Sequence, residues 1–260
     1  MTKLLSYSEF LKQKFPVPYT YKLKNKNQFV YCFGSMHSFK STDEQFDKLD
    51  KLWEEFMKRK EDKKFVFIES LSDFRGNKNE VIRQGGEMGY LNYLCKKNKI
   101  EHGCPEPSIS EWYETLAKKF PKEVVAYYDF ARICYQWHNT DKSIILPEYS
   151  KVFFDEAKRD TGWKDIDFSL RGMSEIHKKL FGTKMDYNDY DFYYMSMNPT
   201  VPKKERNIIN KISYVDEDGI RDKVISKNII KKLKEGYSVL VVYGQTHVAV
   251  IEPVLRNYFK

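Results

Sequence analysis

Two histidines hold the chemistry that can be read from this chain. His37 closes the tetrapeptide Gly34-Ser35-Met36-His37 and His247 closes Gly244-Gln245-Thr246-His247, each directly after an apolar run, residues 29–33 and 239–243. A neutral imidazole can take a proton from water or ligate a divalent metal, and a carboxylate can orient that imidazole or share the metal. Carboxylates stand in comparable places: Glu69 follows Phe65-Val66-Phe67-Ile68, and Glu87 follows the pair Gly85-Gly86. Arg221 opens a later helical pattern, and a guanidinium there could hold a developing oxyanion. A single Gly-x-x-His is common by chance, and each histidine alone would serve equally well as a structural residue. Each acid has a plain alternative too, because Glu69 could simply emerge into solvent and an acid such as Glu87 belongs in a first helical turn anyway. Arg221 could make a surface ion pair. Two histidines placed alike after apolar runs favour a site.

The elements that would position these residues follow from periodicity. Residues 29–33, 65–68 and 239–243 are continuous apolar runs of strand length, and 99–104 is a weaker strand stopped by Pro105 and Pro107. Between the first two, Thr42-Asp43-Glu44-Gln45 reads as a capping box, and Phe46, Leu49, Trp53, Phe56 and Met57 recur at helical spacing. A further helix is expected to start near Gly85-Gly86, with Glu87 in its first turn and Met88, Leu91, Leu94 and Cys95 on its apolar face. Ile220, Val224, Ile225, Ile229 and Leu233 give another helix, which Gly236 stops, and a last helix runs from His247 through Tyr258. If the strands at 29–33 and 239–243 are neighbours in one parallel sheet, both histidines face the crevice at the strands' carboxyl ends, where α/β proteins place ligands.

The expected fold is α/β, with a mainly parallel central sheet flanked by helices. Residues 108–119, 122–137, 148–159 and 174–181 read as helices, a helical insertion or cap in the middle of the chain. The whole reads as a single domain over residues 1–260, with its core at about 28–107 and 203–260 and the insertion at about 108–202. Residues 186–194, Asp-Tyr-Asn-Asp-Tyr-Asp-Phe-Tyr-Tyr, form an acidic and aromatic stretch. It reads as a lid or pocket wall, or equally as a tyrosine-rich strand and turn on the surface.

Composition narrows the function classes. The formal net charge is +8, but lysines alternate with acids, as in Lys58-Arg59-Lys60-Glu61-Asp62-Lys63-Lys64, and no basic stripe accompanies a nucleic-acid motif. Solvated helix faces account for the charge, and no nucleic-acid partner is expected. Cys32, Cys95, Cys104 and Cys134 lack CxxC spacing, which suits a reduced, cytoplasmic protein with buried thiols. No apolar stretch approaches the ~20 residues of a membrane span, and the first residues are too polar for a signal-peptide core. His102, His138 and His177 lack the strand-end context and read as structural.

Taken in order, the motifs resemble the TraB/Tiki family, part of a wider group with the erythromycin-esterase-like (EreA) and ChaN-like proteins. Phe33-Gly34-Ser35-Met36-His37 is similar to the family's strand-GxxH, with serine at 35 where threonine is frequent, and Phe67-Ile68-Glu69-Ser70 is similar to its strand-end glutamate. Gly85-Gly86-Glu87-Met88 resembles its Gly-x-Glu-Met helix start, Arg221-Asp222 its Arg-Asn or Arg-Asp helix start, and residues 241–247 its closing strand-GxxH. The likeness covers about residues 28–104 and 219–258. At the third strand, Glu101-His102 and then Glu106 stand where an acidic-basic pair is expected.

The resemblance implies an EreA/ChaN-like fold and a hydrolase acting on a peptide or small-molecule ester. Tiki proteins are metal-dependent peptidases, TraB-like bacterial proteins are linked to peptide pheromone inactivation, and the esterase relatives open a lactone. The implied site is His37, Glu69, Glu87, Arg221 and His247. In it His37, Glu69 and His247 bind a divalent metal (Mn, Co or Zn), or the histidines activate water directly. A ChaN-like reading, haem binding without hydrolysis, is the alternative implication. An inactive interaction module is a third.

Overall fold

The computed structural model describes residues 3–25, 28–58, 63–71, 74–140, 142–217 and 219–260, so part of the mixed-charge run at 58–64 lies outside the described residues. In chain order the elements are α1 (Tyr7–Phe10), β1 (Tyr19–Asn25), β2 (Gln28–Ser35), α2 (Glu44–Met57), β3 (Lys63–Ile68), α3 (Lys78–Asn98) and β4 (Glu101–Gly103). There follow α4 (Ile109–Ala117), α5 (Lys122–His138), α6 (Leu146–Thr161), α7 (Leu170–Phe181), α8 (Tyr190–Met197), α9 (Ile208–Glu217), α10 (Ile220–Lys234), β5 (Tyr237–Gly244) and α11 (Gln245–Tyr258). They divide into two units, one of residues 1–106 with 222–260 and one of residues 107–221.

The first unit is α/β. Its five-stranded sheet has the order β1-β2-β5-β3-β4. The neighbours β2 and β5, β5 and β3, and β3 and β4 run parallel, and β1 adds an antiparallel edge on β2. The parallel strands are continuous apolar runs because helices cover both of their faces. On one face Phe33, Val66, Ile68, Leu240 and Val242 pack with Phe46, Leu49, Trp53 and Phe56 of α2 and Leu91 and Leu94 of α3. On the other, Cys32, Phe65, Phe67, Val239 and Val241 pack with Ile225, Ile229 and Leu233 of α10 and with Val248, Ile251 and Leu255 of α11. The last strand in sequence thus lies in the middle of the sheet, between β2 and β3, and the two Gly-x-x-His runs end neighbouring strands.

Two elements of this unit differ from the sequence reading. The edge strand β1 carries alternation, with Tyr21 and Leu23 buried and Lys22 and Lys24 exposed, instead of an apolar run. Helix α3 starts at Lys78 behind an Asn77 capping box with Glu80, earlier than the glycine pair. At that pair it breaks, with Gly85 at φ −141° and Gly86 at φ 57°, ψ −143°, and a second helical segment begins with Glu87.

The second unit is helical, α4 to α9. Its core is unusually aromatic, built on Trp112, Tyr113, Tyr127, Tyr128, Phe130 and Tyr193. The hydroxyls and indoles in it are satisfied by buried acids: Asp216 accepts from Trp112 Nε1 at 2.8 Å and from Tyr128 at 2.9 Å, and Asp129 accepts from Tyr113 at 2.7 Å. Burial holds the Asp216 carboxyl above its usual range. The acidic and aromatic stretch becomes helix α8 and not a strand, because Asp189 caps it through Phe192 N at 2.9 Å and Tyr193 and Ser196 then share one buried face. Helix α7 begins earlier than the apolar pattern, at Leu170, where Ser169 accepts from Gly172 N. This unit runs to Arg221, past the 202 expected for the end of the helical segment, because α9 packs Ile209 and Ile212 into its core.

Candidate active site

The register of the two central strands sets the site. Ser35 lies opposite Gly244, so the residues that follow each strand leave the sheet side by side. Close approach is allowed at both glycines. A Cβ on Gly34 would lie 2.8 Å from Gln245 Cα, so β2 can rest directly on the first turn of α11. A Cβ on Gly244 would lie 2.9 Å from His37 Nε2 and 3.6 Å from Glu69 Oε2, so the absence of a side chain there leaves the room that both groups occupy.

His37 sits beyond β2 with φ at 50°, a left-handed backbone that a non-glycine residue adopts at a cost of about 1 kcal/mol or more. Its Nδ1 lies 2.6 Å from Glu87 Oε1, which also accepts from Ser35 Oγ at 2.7 Å. Glu87 reaches this position because the Gly85-Gly86 break turns the helix and starts a new segment at that residue. Its side chain is 1% exposed while that of His37 is 45% exposed, so the carboxylate is a buried anchor and the imidazole the working face. Glu87 Oε2 is buried without a hydrogen-bond partner among the described residues. The hydrogen bonds from His37 Nδ1 and Ser35 Oγ, both on Oε1, are therefore what satisfies this carboxylate among the described residues. The hydrogen bond to Glu87 pushes the His37 pKa above its ordinary 6.5; burial opposes the rise, and the charges of Glu87 and then Glu69 add to it.

The other ring nitrogen, His37 Nε2, faces Glu69 Oε2 at 3.8 Å, and that oxygen accepts from Gly244 N at 2.9 Å. The end of β3 is thus tied to the end of β5. Behind Glu69, its carbonyl accepts from Cys104 Sγ at 3.1 Å, and Cys104 lies 3.8 Å from the Tyr243 hydroxyl. Burial pushes the Cys104 thiol up; hydrogen bonds with the Glu106 backbone and the Tyr243 hydroxyl oppose the rise, and the charge of Glu106 adds to it. Glu106 therefore lies on the flank of the site near Cys104 and Tyr243.

His247, the third residue of α11, repeats the arrangement of His37. Its Nδ1 lies 2.8 Å from Asp222 Oδ1, a carboxylate only 5% exposed. It is close enough to His37 for its charge to oppose protonation of the His37 ring. In each histidine the carboxylate on Nδ1 fixes the tautomer that leaves Nε2 as the acceptor.

Of the residues read from the sequence, His37, Glu69, Glu87 and His247 come together at the carboxyl ends of β2, β3 and β5. Arg221 belongs to the helical unit, where its charge acts on Asp216 and Arg132. The acid that orients His247 is its neighbour Asp222, which sequence reasoning passed over although it stands in the same first helical turn. Ser35 and Gln45 were also missed; Gln45 Oε1 accepts from Met36 N at 3.4 Å and steadies the turn before His37. The remaining histidines have local partners: His102 Nδ1 meets Ile100 O, His138 Nε2 meets Tyr187 O, and His177 lies between Tyr127 and Thr183. All four cysteines are unpaired.

Two imidazoles and a carboxylate are chemically a suitable donor set for a divalent ion. Among the described residues, however, no three His, Cys, Asp or Glu side chains are gathered as a metal cage. A divalent ion on His37, Glu69 and His247 would need these side chains to regroup. No helix of the described residues is long and apolar enough to cross a membrane. Comparison of the chain with protein-family models, with curated proteins and with solved structures returns no match.

Proposed function

We propose that the protein is a hydrolase that activates water with His37, in the manner of the TraB/Tiki and esterase-like group that its motifs resemble. The observation that carries this reading is the chain of contacts from buried Glu87 through the His37 imidazole to Glu69 at one sheet end. A water between His37 Nε2 and Glu69 would lose a proton to the imidazole, and Glu87 would stabilise the imidazolium that forms. His247, held by Asp222, supplies a second ring nitrogen for the substrate or the leaving group. Gly244, lacking a side chain, leaves the room in which His37 Nε2 and Glu69 face each other. No step is routed through a metal, since the side chains fit one only after regrouping.

The substrate class that the resemblance favours is a peptide or ester bond. The test is a screen of peptide and ester substrates with the purified chain, with and without chelator and with Mn²⁺, Co²⁺ or Zn²⁺ added, beside His37→Ala and His247→Ala. Turnover that survives the chelator and falls about 10²- to 10⁴-fold in His37→Ala is the expected result. Turnover lost to the chelator, with stoichiometric metal in elemental analysis, would replace this mechanism by the metal-dependent one on His37, Glu69 and His247. A Soret band on addition of haem, with no hydrolysis of any substrate, would give the ligand-binding reading instead.

A further inference from the structure

The hydrolase reading leaves the acidic and aromatic stretch of the helical unit unused. Helix α8 buries Tyr193 and Ser196 and turns Tyr190, Asp191, Tyr194 and Met195 outward. Tyr190 and Tyr194, one helical turn apart, stack with ring centroids 5.7 Å apart and planes at 24°. Tyr135 of α5 joins them, 6.4 Å from Tyr190 and 6.2 Å from Tyr194, and His138 meets Tyr190 edge-on at 5.4 Å. Three tyrosine rings from two helices therefore form one platform, and two of them remain 40% and 44% exposed. A solvent-exposed cluster of large rings, which a core would ordinarily bury, marks an interaction surface.

Its charge distinguishes the partner. Asp186, Asp189 and Asp191 are all exposed on or beside the helix, and the sequence has no Lys or Arg between Lys184 and Lys203. Asp189 is occupied as the helix cap and Asp186 accepts from Asn188 N, whereas Asp191 makes no hydrogen bond or ion pair among the described residues. On a chain of formal charge +8 this is a local negative, aromatic face. Screening at physiological salt limits fields to about 8 Å, so a ligand lying on α8 experiences the aspartates of that helix more than the net charge of the chain.

We propose that this face of α5 and α8 binds a basic peptide segment. Its lysine or arginine side chains would lie over the faces of Tyr190 and Tyr194 and pair with Asp191. Ring quadrupoles attract cations, and a nearby carboxylate fixes the charged head group. The proposal does not depend on the hydrolase reading, since none of these residues belongs to the histidine site.

The test uses the full chain and a fluorescein-labelled octapeptide of alternating lysine, arginine and serine. Its lysine-acetylated, arginine-to-citrulline counterpart serves as the control, and both are read by fluorescence anisotropy over a salt series. Binding of the cationic peptide alone is expected, weakened about tenfold by the double change Tyr190→Ala, Tyr194→Ala, in keeping with two exposed cation–π contacts. Asp191→Asn should weaken it about threefold and flatten the salt dependence. Circular dichroism of the variants checks that the helical unit is kept; Asp191→Asn, a near-isosteric surface change, tests the proposal even if the tyrosine pair proves structural. Equal binding of the neutral control, or unchanged affinity in Asp191→Asn and in a folded tyrosine variant, would overturn the proposal. So would absence of binding, or a concentration-dependent increase in sedimentation coefficient that the tyrosine changes abolish, which would make a second copy the occupant.

Discussion

At the scale of single residues, the site depends on His37 being held between a buried acid and an open one. Its raised pKa comes first from Glu87, so Glu87→Gln returns the imidazole toward 6.5. The acid limb of kcat/KM should move to lower pH, because the base form then prevails earlier, while maximal turnover falls through loss of the oriented tautomer. The fall should be about 10²- to 10⁴-fold, read from a pH–rate profile. The same pair sets a stability signature. A histidine whose pKa is raised by folding contributes in full below its unfolded value, and the contribution fades as pH rises through the folded one. The difference in denaturant midpoint between the native chain and Glu87→Gln should therefore narrow as pH rises past the ordinary 6.5 and through the raised folded-state value. Gly244→Ala probes the open side. Its methyl would meet His37 Nε2 at 2.9 Å, so the half-exposed ring must shift against its Glu87 contact. Activity should fall with a melting temperature close to that of the native chain; unchanged turnover would remove His37 Nε2 from the mechanism.

At the scale of elements, the break in α3 is what delivers Glu87. Gly86 combines φ 57° with ψ −143°, and a Cβ there would lie 3.0 Å from Ser38 O. Gly86→Ala should therefore cost roughly 1–3 kcal/mol in stability, measured by urea unfolding, and should lose activity with it. This element also shows how far sequence alone could be read. Strands β2, β3 and β5 were legible because burial on both faces demands continuous apolar runs, and their ends located His37, Glu69 and His247. The segment before Gly85 was not, because Asn77 and Glu80 carry a capping box inside a polar stretch that has little apolar periodicity. Strand β1 was hidden for a different reason. It is an edge strand with one covered face, and its alternation of Tyr21 and Leu23 with Lys22 and Lys24 is weaker than an apolar run. Helix α8 was ambiguous because tyrosine suits both strand and helix, and only the Asp189 cap with the buried Tyr193 and Ser196 decides. Asp222 escaped notice since its partner is distant in sequence and its neighbour Arg221 drew the inference. Such pairings are tertiary, and no local pattern encodes them.

At the scale of the whole molecule, the consequence of placing β5 in the centre of the sheet is temporal. Strands β2 and β3 are not neighbours; each is hydrogen-bonded to β5, which the chain supplies only after the whole helical unit and α10. Until residues 237–244 have left the ribosome, the two strands present unpaired edges of buried, apolar sequence, and contacts so distant in sequence form slowly. A fragment ending at residue 236 should accordingly be insoluble when expressed alone. Co-expression with residues 237–260 should recover soluble material, scored by fractionation; a soluble, cooperatively folded short fragment would contradict this order of assembly. Strand β5 ends in Gly244 and leads directly into His247 of α11, so the nascent polypeptide has no complete site before this stage of translation. The order of synthesis thus sets when the two histidines can meet: His37 waits for β5 and the first turn of α11 before His247 stands beside it.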